Sequence, residues 1–221
     1  MHSLRETPQL LLRGVSHGFV PGHFLFRKLD SEFTGGGVWG IRGPSGSGKS
    51  TLLSILAGWE DPVEGSVERR HICSTRWVFQ NPLGVARRSV LDHVALPYLA
   101  DGLTRKNAAR LAMERLAEFG LEDSSEKDFA LLSGGEAQRL MLARAAAGSP
   151  DLILVDEPTA QLDRTTAATV NRVLRKLARS GAVVVVASHD FQTLEACTDV
   201  LDLQPPVPRP SPLISSQRGQ A

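Results

Sequence analysis

The spacing of apolar and polar positions changes several times along the chain. Leu10 to Val15 and Phe24 to Phe33 alternate loosely, with Pro21, Gly22 and Gly35–Gly37 as punctuation. That pattern predicts short antiparallel strands. Val38 to Arg42 reads as a strand running into a glycine-rich turn. Lys49 to Ala57 then takes helical spacing through Leu52, Leu53 and Leu56, and stops at Gly58. From Pro82 to Ala130 the texture is helical. Thr104 suits an N-cap, Leu111, Leu116 and Phe119 share a face, and Gly120 stands where a C′ glycine belongs. Leu152 to Val155 and Val183 to Ala187 are short apolar runs, the mark of buried parallel strands, with a helix expected from Arg164 to Arg179 between them. Strands alternating with helices predict an α/β domain with a mainly parallel sheet. An antiparallel β part precedes it, and a helical part, approximately residues 82–145, is inserted. The domain is expected to span residues 1–203. The tail from Gln204 to residue 221 is rich in Pro and Ser without periodicity, and is expected to be disordered.

Composition narrows the function classes. The chain has 221 residues, enough to bury a full core without a disulfide or metal staple. Lys plus Arg (25) nearly balances Asp plus Glu (24), so no net field marks a nucleic-acid or membrane-surface binder. The two cysteines, Cys73 and Cys197, are far apart and are expected to be buried thiols in a reducing compartment. Met1 to Gln9 is polar, with no signal peptide visible. The densest apolar run, Ala182 to Ala187, is far shorter than the roughly 20 residues a membrane helix needs. Work at a membrane would require another chain to supply the spans.

The chemistry sits in local motifs. Gly43-Pro44-Ser45-Gly46-Ser47-Gly48-Lys49-Ser50-Thr51 fits G-x-x-x-x-G-K-[ST] between a strand and a helix. Glycines permit turns that aim consecutive N–H groups at one anion, and the helix from Lys49 points its positive end at the same place. Lys49 can reach β- and γ-phosphates, and the Ser50 hydroxyl can bind Mg²⁺. Leu152 to Val155 ends in Asp156 and Glu157. Ligands of open α/β sheets lie at the carboxyl ends of the strands, so Asp156 is placed to hold Mg²⁺. Glu157, one step further, is placed to accept a proton from an attacking water. Without the phosphate loop, the pair would read as a solvated acidic turn.

One further motif is more specific. Leu132-Ser133-Gly134-Gly135-Glu136, followed by Ala-Gln138-Arg139 and Ala143-Arg144-Ala145, resembles the LSGGQ signature of ABC transporter ATPases, with Glu in the fifth position. The resemblance covers roughly Leu10 to Leu203 and implies a P-loop NTPase core. Gln80, after Val78-Phe79, matches the Q-loop that touches Mg²⁺ and the attacking water. Asp156-Glu157-Pro158-Thr159 matches the extended Walker B. Ala160-Gln161-Leu162-Asp163 resembles the D-loop, and His189 the H-loop switch on the γ-phosphate. Phe19, in Val15-Ser-His-Gly-Phe19, stands where the family stacks an aromatic on adenine. Taken singly, Gln80 reads as a surface glutamine, His189 as a loop histidine and Phe19 as core. Their joint order gives them the family roles.

What the resemblance implies is an ATP sandwich. Ser133, Gly134 and Gly135 of one subunit close on the γ-phosphate held by the phosphate loop of another, either a second copy or a related ATPase. ATP hydrolysis with Mg²⁺ then powers a transmembrane permease subunit, with this chain on the cytoplasmic face of the cell membrane. Glu136 is expected to face away from the nucleotide, since a carboxylate would oppose phosphates. Leu83, Val85, Leu91, Leu96 and Tyr98 either line the groove where the family docks a permease helix or are ordinary core. Val90-Leu91-Asp92-His93-Val94-Ala95-Leu96-Pro97 looks like the corresponding segment of the macrolide-export, lipoprotein-release and cell-division group. That likeness, and a chain that stops soon after Leu203, favour export over import. Candidate cargoes are peptides, antibiotics, lipids, lipoproteins and haem. The alternatives are a cell-division-type relay of force without cargo and, less favoured, an importer. Relatives acting on DNA or ribosomes carry long coiled coils, zinc modules or paired domains, so no nucleic-acid partner is expected.

Overall fold

A computed structural model describes residues 6–160 and 162–203. Two strands open the chain, β1 (Gln9–His17) and β2 (Phe26–Thr34), antiparallel with Leu10 opposite Phe33 and Leu12 opposite Ser31. The loose alternation buries Leu10, Leu12 and Val15 on one face. β3 (Val38–Arg42) leads through the glycine turn into α1 (Lys49–Ala57), whose C-cap Gly58 is left-handed at φ 79°. β4 (Glu64–Arg70) then pairs with the other edge of β1, which completes a three-stranded antiparallel sheet. β4 has no fully buried residue, so hydrophobic spacing carries no trace of it.

The inserted helices follow β5 (Thr75–Val78). α2 (Val90–Ala100) is capped by Ser89, whose hydroxyl accepts from the Asp92 N–H. α3 (Arg105–Glu118) is capped by Thr104, and Gly120 follows its C-cap at φ 62°. α4 (Gly134–Ala146) starts at Ser133. His93 is buried and staples residues 85–89 to α2. Its Nδ1 lies 2.7 Å from the Ser89 carbonyl, and its Nε2 accepts from the Val85 N–H at 3.0 Å. Burial lowers its pKa, which agrees with that neutral tautomer.

β6 (Leu152–Asp156), α5 (Arg164–Arg179), β7 (Val183–Ser188), α6 (Phe191–Glu195) and β8 (Asp199–Asp202) complete the described chain. The second sheet has the order β5-β6-β7-β3-β8 and is parallel throughout. Every residue of β6 and β7 is buried, the condition that makes parallel strands read as unbroken apolar runs. α1 and the antiparallel sheet pack on one face of this sheet, and α5 with the inserted helices on the other. β7 lies between β3 and β6, so the phosphate turn after β3, the acidic pair ending β6 and the histidine after β7 emerge at one edge. Among the described residues, no helix is long and apolar enough to cross a membrane.

The expectation of two buried thiols fails at Cys73, which is exposed. Its backbone, not its side chain, is tied down, since the Cys73 and Ser74 N–H groups both donate to Asp151 Oδ2 at 2.9 Å. Cys197 is half-buried, and burial pushes its thiol up to about 11. The tail from residue 204 lies outside the described residues, as does Gln161.

Candidate active site

Two glycines of the turn answer different constraints. Gly48 is left-handed at φ 91°, and a Cβ there would also come within 3.0 Å of the Phe26 ring. At Gly43 a Cβ would stand 2.4 Å from Ser47 Oγ, so close approach and not φ excludes a side chain. Ser47 Oγ is buried and finds no partner among the described residues. α1 has no side-chain cap, so its first-turn N–H groups are open to an anion. The Lys49 ammonium curls over the turn and donates to the carbonyls of Gly43 at 3.0 Å and Pro44 at 3.4 Å.

The acidic pair meets this turn from the end of β6, one strand removed. Ser50 Oγ donates to Asp156 Oδ2 at 2.6 Å. Burial raises the Asp156 pKa above the ordinary carboxylate range, while the Ser50 bond partly opposes the shift. Glu157 sits at φ 47°, a left-handed backbone that L side chains seldom adopt. Its carboxylate is almost fully buried and held from three directions. His189 Nδ1 is 2.8 Å from Oε1, Ser188 Oγ donates to Oε2 at 3.2 Å, and Lys49 Nζ is 3.6 Å from Oε1.

These groups line one cleft of about 660 Å³. It brings together Pro44, Ser45, Gly46, Gly48, Lys49, Ser50 and Thr51 with Gln80, Asp156, Glu157 and His189. Phe19 stands at its rim, 69% exposed, with its ring edge-on to the buried His17 at 5.1 Å. Gly43 and Ser47 form the turn behind it. Ser133, Gly134, Gly135 and Asp163 do not line this cleft. Ser133 is the N-cap of α4, and a Cβ on Gly135 would only brush Leu162 at 3.4 Å. Asp163 is the N-cap of α5 and accepts from the N–H groups of Thr165 and Thr166 at 2.9 and 3.0 Å. Glu136 bonds back to the signature serine. Its Oε2 accepts from both the Ser133 N–H at 2.9 Å and the Ser133 hydroxyl at 2.7 Å. The helix start recruits it into a capping box.

Two residues at or behind the cleft escaped sequence reasoning. Leu25 lines it, and Ser188 orients Glu157. Ser188 had a signal, a hydroxyl ending an all-apolar strand and adjoining His189.

The donors fit a nucleotide with a hard cation. Ser50 and Asp156 offer oxygens that suit Mg²⁺. Among the described residues no group of three His, Cys, Asp or Glu converges as a metal cage; Gln80 lines the same cleft, and phosphate and water would supply the remaining ligands.

A second hollow, about 630 Å³, lies between the two subdomains. Trp59, Trp77 and Phe79 stack along it, with ring centroids 4.7 and 5.1 Å apart. Leu83, Leu96 and Arg144 line it from the insertion, and Arg76 from β5. Of the other apolar candidates, Val85 is exposed elsewhere, whereas Leu91 and Tyr98 pack into the core.

Comparison with known proteins agrees with this geometry. The ABC transporter family model matches residues 26–160. The lipoprotein-releasing system ATP-binding protein LolD of Nitrobacter winogradskyi is 35% identical, over 85% of this chain and 89% of that protein. The methionine import ATP-binding protein MetN 2 of Rhodococcus jostii is 33% identical, over 87% of this chain and 62% of that protein. The ATP-binding cassette MJ0796, solved as a dimer bound to ADP and Pi, superposes with a TM-score of 0.80 at 28% identity, over 88% of this chain and 94% of that one. A phosphate turn, a serine-capped signature helix and an acidic strand end in this order, on this fold and with these relatives, show that the chain belongs to the ABC transporter family as a nucleotide-binding domain.

Proposed function

We propose that this chain hydrolyses ATP with Mg²⁺ as half of a closing dimer, and so drives a separate membrane permease. One observation carries the reading: Glu157, buried and strained, is aimed at the phosphate turn by Ser188 and His189, with Lys49 beside it. Phosphoryl transfer to water needs positioning and charge neutralisation more than covalent chemistry. Lys49 and the N–H groups of α1 receive the β/γ oxygens, and Phe19 offers a ring to the base. Glu157 takes the proton of the attacking water, His189 keeps Glu157 and the γ-phosphate in register, and Gln80 senses both. Mg²⁺, held at Ser50 and Asp156, would neutralise charge developing on those oxygens.

The signature residues Ser133, Gly134 and Gly135 stand outside their own cleft, which supports their use by a facing subunit, either a second copy or a related ATPase. Asp163, at the neighbouring helix start, would lie at the same seam. The aromatic hollow suits a short apolar helix of the permease, which would hold the chain at the cytoplasmic face of the membrane. Export remains the favoured direction. The lipoprotein-release relative and the insertion segment support it, although the methionine-import relative is nearly as similar.

Two measurements test this. Phosphate release from MgATP should rise faster than linearly with protein concentration. Affinity purification from membranes should bring down a permease, whose loss should leave cargo stranded inside the cell. Turnover strictly proportional to protein, with no membrane partner recovered, would overturn the reading.

A further inference from the structure

The signature serine hydroxyl has one proton to give, and in this structure it is already committed. Ser133 Oγ donates to Glu136 Oε2 at 2.7 Å, and the Ser133 N–H donates to the same oxygen at 2.9 Å. The Glu136 N–H returns a bond to Ser133 Oγ at 3.3 Å. Hydrogen bonds from the Ser133 backbone and hydroxyl hold the Glu136 carboxyl below its usual range, so it is ionised at neutral pH. Before this hydroxyl can donate to a phosphate oxygen of a facing subunit, it must leave a carboxylate. That carboxylate then stays beside an arriving polyanion.

One cation offsets it. Lys127 Nζ lies 3.9 Å from Glu136 Oε1, on the side opposite the serine, where the Ser124 hydroxyl also donates at 3.3 Å. The position of Lys127 is set by a different element, because its carbonyl accepts from the Val90 N–H at the start of α2. We infer that Glu136 is an electrostatic latch on the signature serine that raises the ATP concentration needed for closure, and that Lys127 is the positioning residue that keeps the latch from being prohibitive. The inference rests on the sandwich reading and adds its regulation. A Gln at 136 can accept the same capping bonds through its amide oxygen, so E136Q removes charge while keeping shape.

The test uses the hydrolysis-slow E157Q protein as parent and reads the MgATP concentration at half-maximal dimerisation by light scattering. E136Q should lower that concentration roughly 2–5-fold, the scale of a partly exposed charge interaction, and less in high salt. K127A should raise it by a similar factor in the parent, and leave it unmoved when E136Q is already present. A parent that never dimerises with MgATP sinks the sandwich reading. A parent that dimerises, with E136Q giving no gain or K127A shifting both backgrounds equally, sinks only the latch.

Discussion

The cleft and the signature are two regions built in opposite ways. The cleft gathers residues from Phe19 to His189, and its decisive contacts span great sequence distances: Ser50 to Asp156, Glu157 to His189. Four parallel strand ends fix it, so it is organised before any partner arrives. The signature is local. Ser133 and Glu136 close a capping box within one helical turn and do not line the cleft. On the proposed sandwich reading, one chain carries a whole binding cleft and a detached fragment of another. Binding can precede closure, and hydrolysis can wait for it.

The widest separation between the two sites should appear at Glu157. Glu157→Gln is expected to lower turnover by roughly 10²–10⁴, the usual worth of a positioned base, while ATP binding survives and the closed dimer accumulates. Stopped-flow phosphate release with gel filtration in MgATP checks both, and near-normal turnover would remove Glu157 from its role. Ser133→Gly should cost roughly 10²–10³ in turnover through the partner's γ-phosphate. Gly is a tolerable N-cap, costing only a few tenths of a kcal/mol, so a large melting shift would mean that folding and not catalysis was hit. Lys49→Ala acts on the cleft alone. Its charge-assisted bonds predict roughly 10–100-fold weaker ATP affinity in calorimetry, and unchanged affinity would refute the assignment.

The same contrast governs what could be read in the sequence. The buried runs of β6 and β7, the helix at Arg164–Arg179 and the glycine turn are legible because their patterns arise from burial or backbone geometry. β4 was invisible because its pairing with β1, not its side chains, makes it a strand. The apolar residues of the insertion could not be sorted, since periodicity does not tell the buried Tyr98 from the exposed Leu83. Cys73 was misjudged because backbone hydrogen bonds placed it, and the capping box of Glu136 went unseen for a like reason: hydrophobicity and charge do not report such bonds.

The smallest expected effect has a sign that separates the two regions. Capping bonds lower the Glu136 carboxyl, whereas burial raises that of Asp156. A folded-state pKa above the unfolded one means that the native protein binds that proton more tightly. Stability of the nucleotide-free protein therefore declines as pH rises from the ordinary carboxylate range through the raised value of Asp156. Asp156→Asn keeps an acceptor for the Ser50 hydroxyl and drops the buried charge. At neutral pH, without nucleotide, it should melt about 1–3 °C higher, less than the ~4 °C that 1 kcal/mol can move a chain of this size, because the cleft is partly open to water. The gain should shrink as pH falls toward the ordinary carboxylate range. With MgATP present the order should invert, since the variant loses the oxygen offered to the cation. A variant that melts lower in both conditions would mean that the Asp156 charge stabilises the empty cleft, which would then be organised by ion pairing, with no cost of burial held for the nucleotide to relieve.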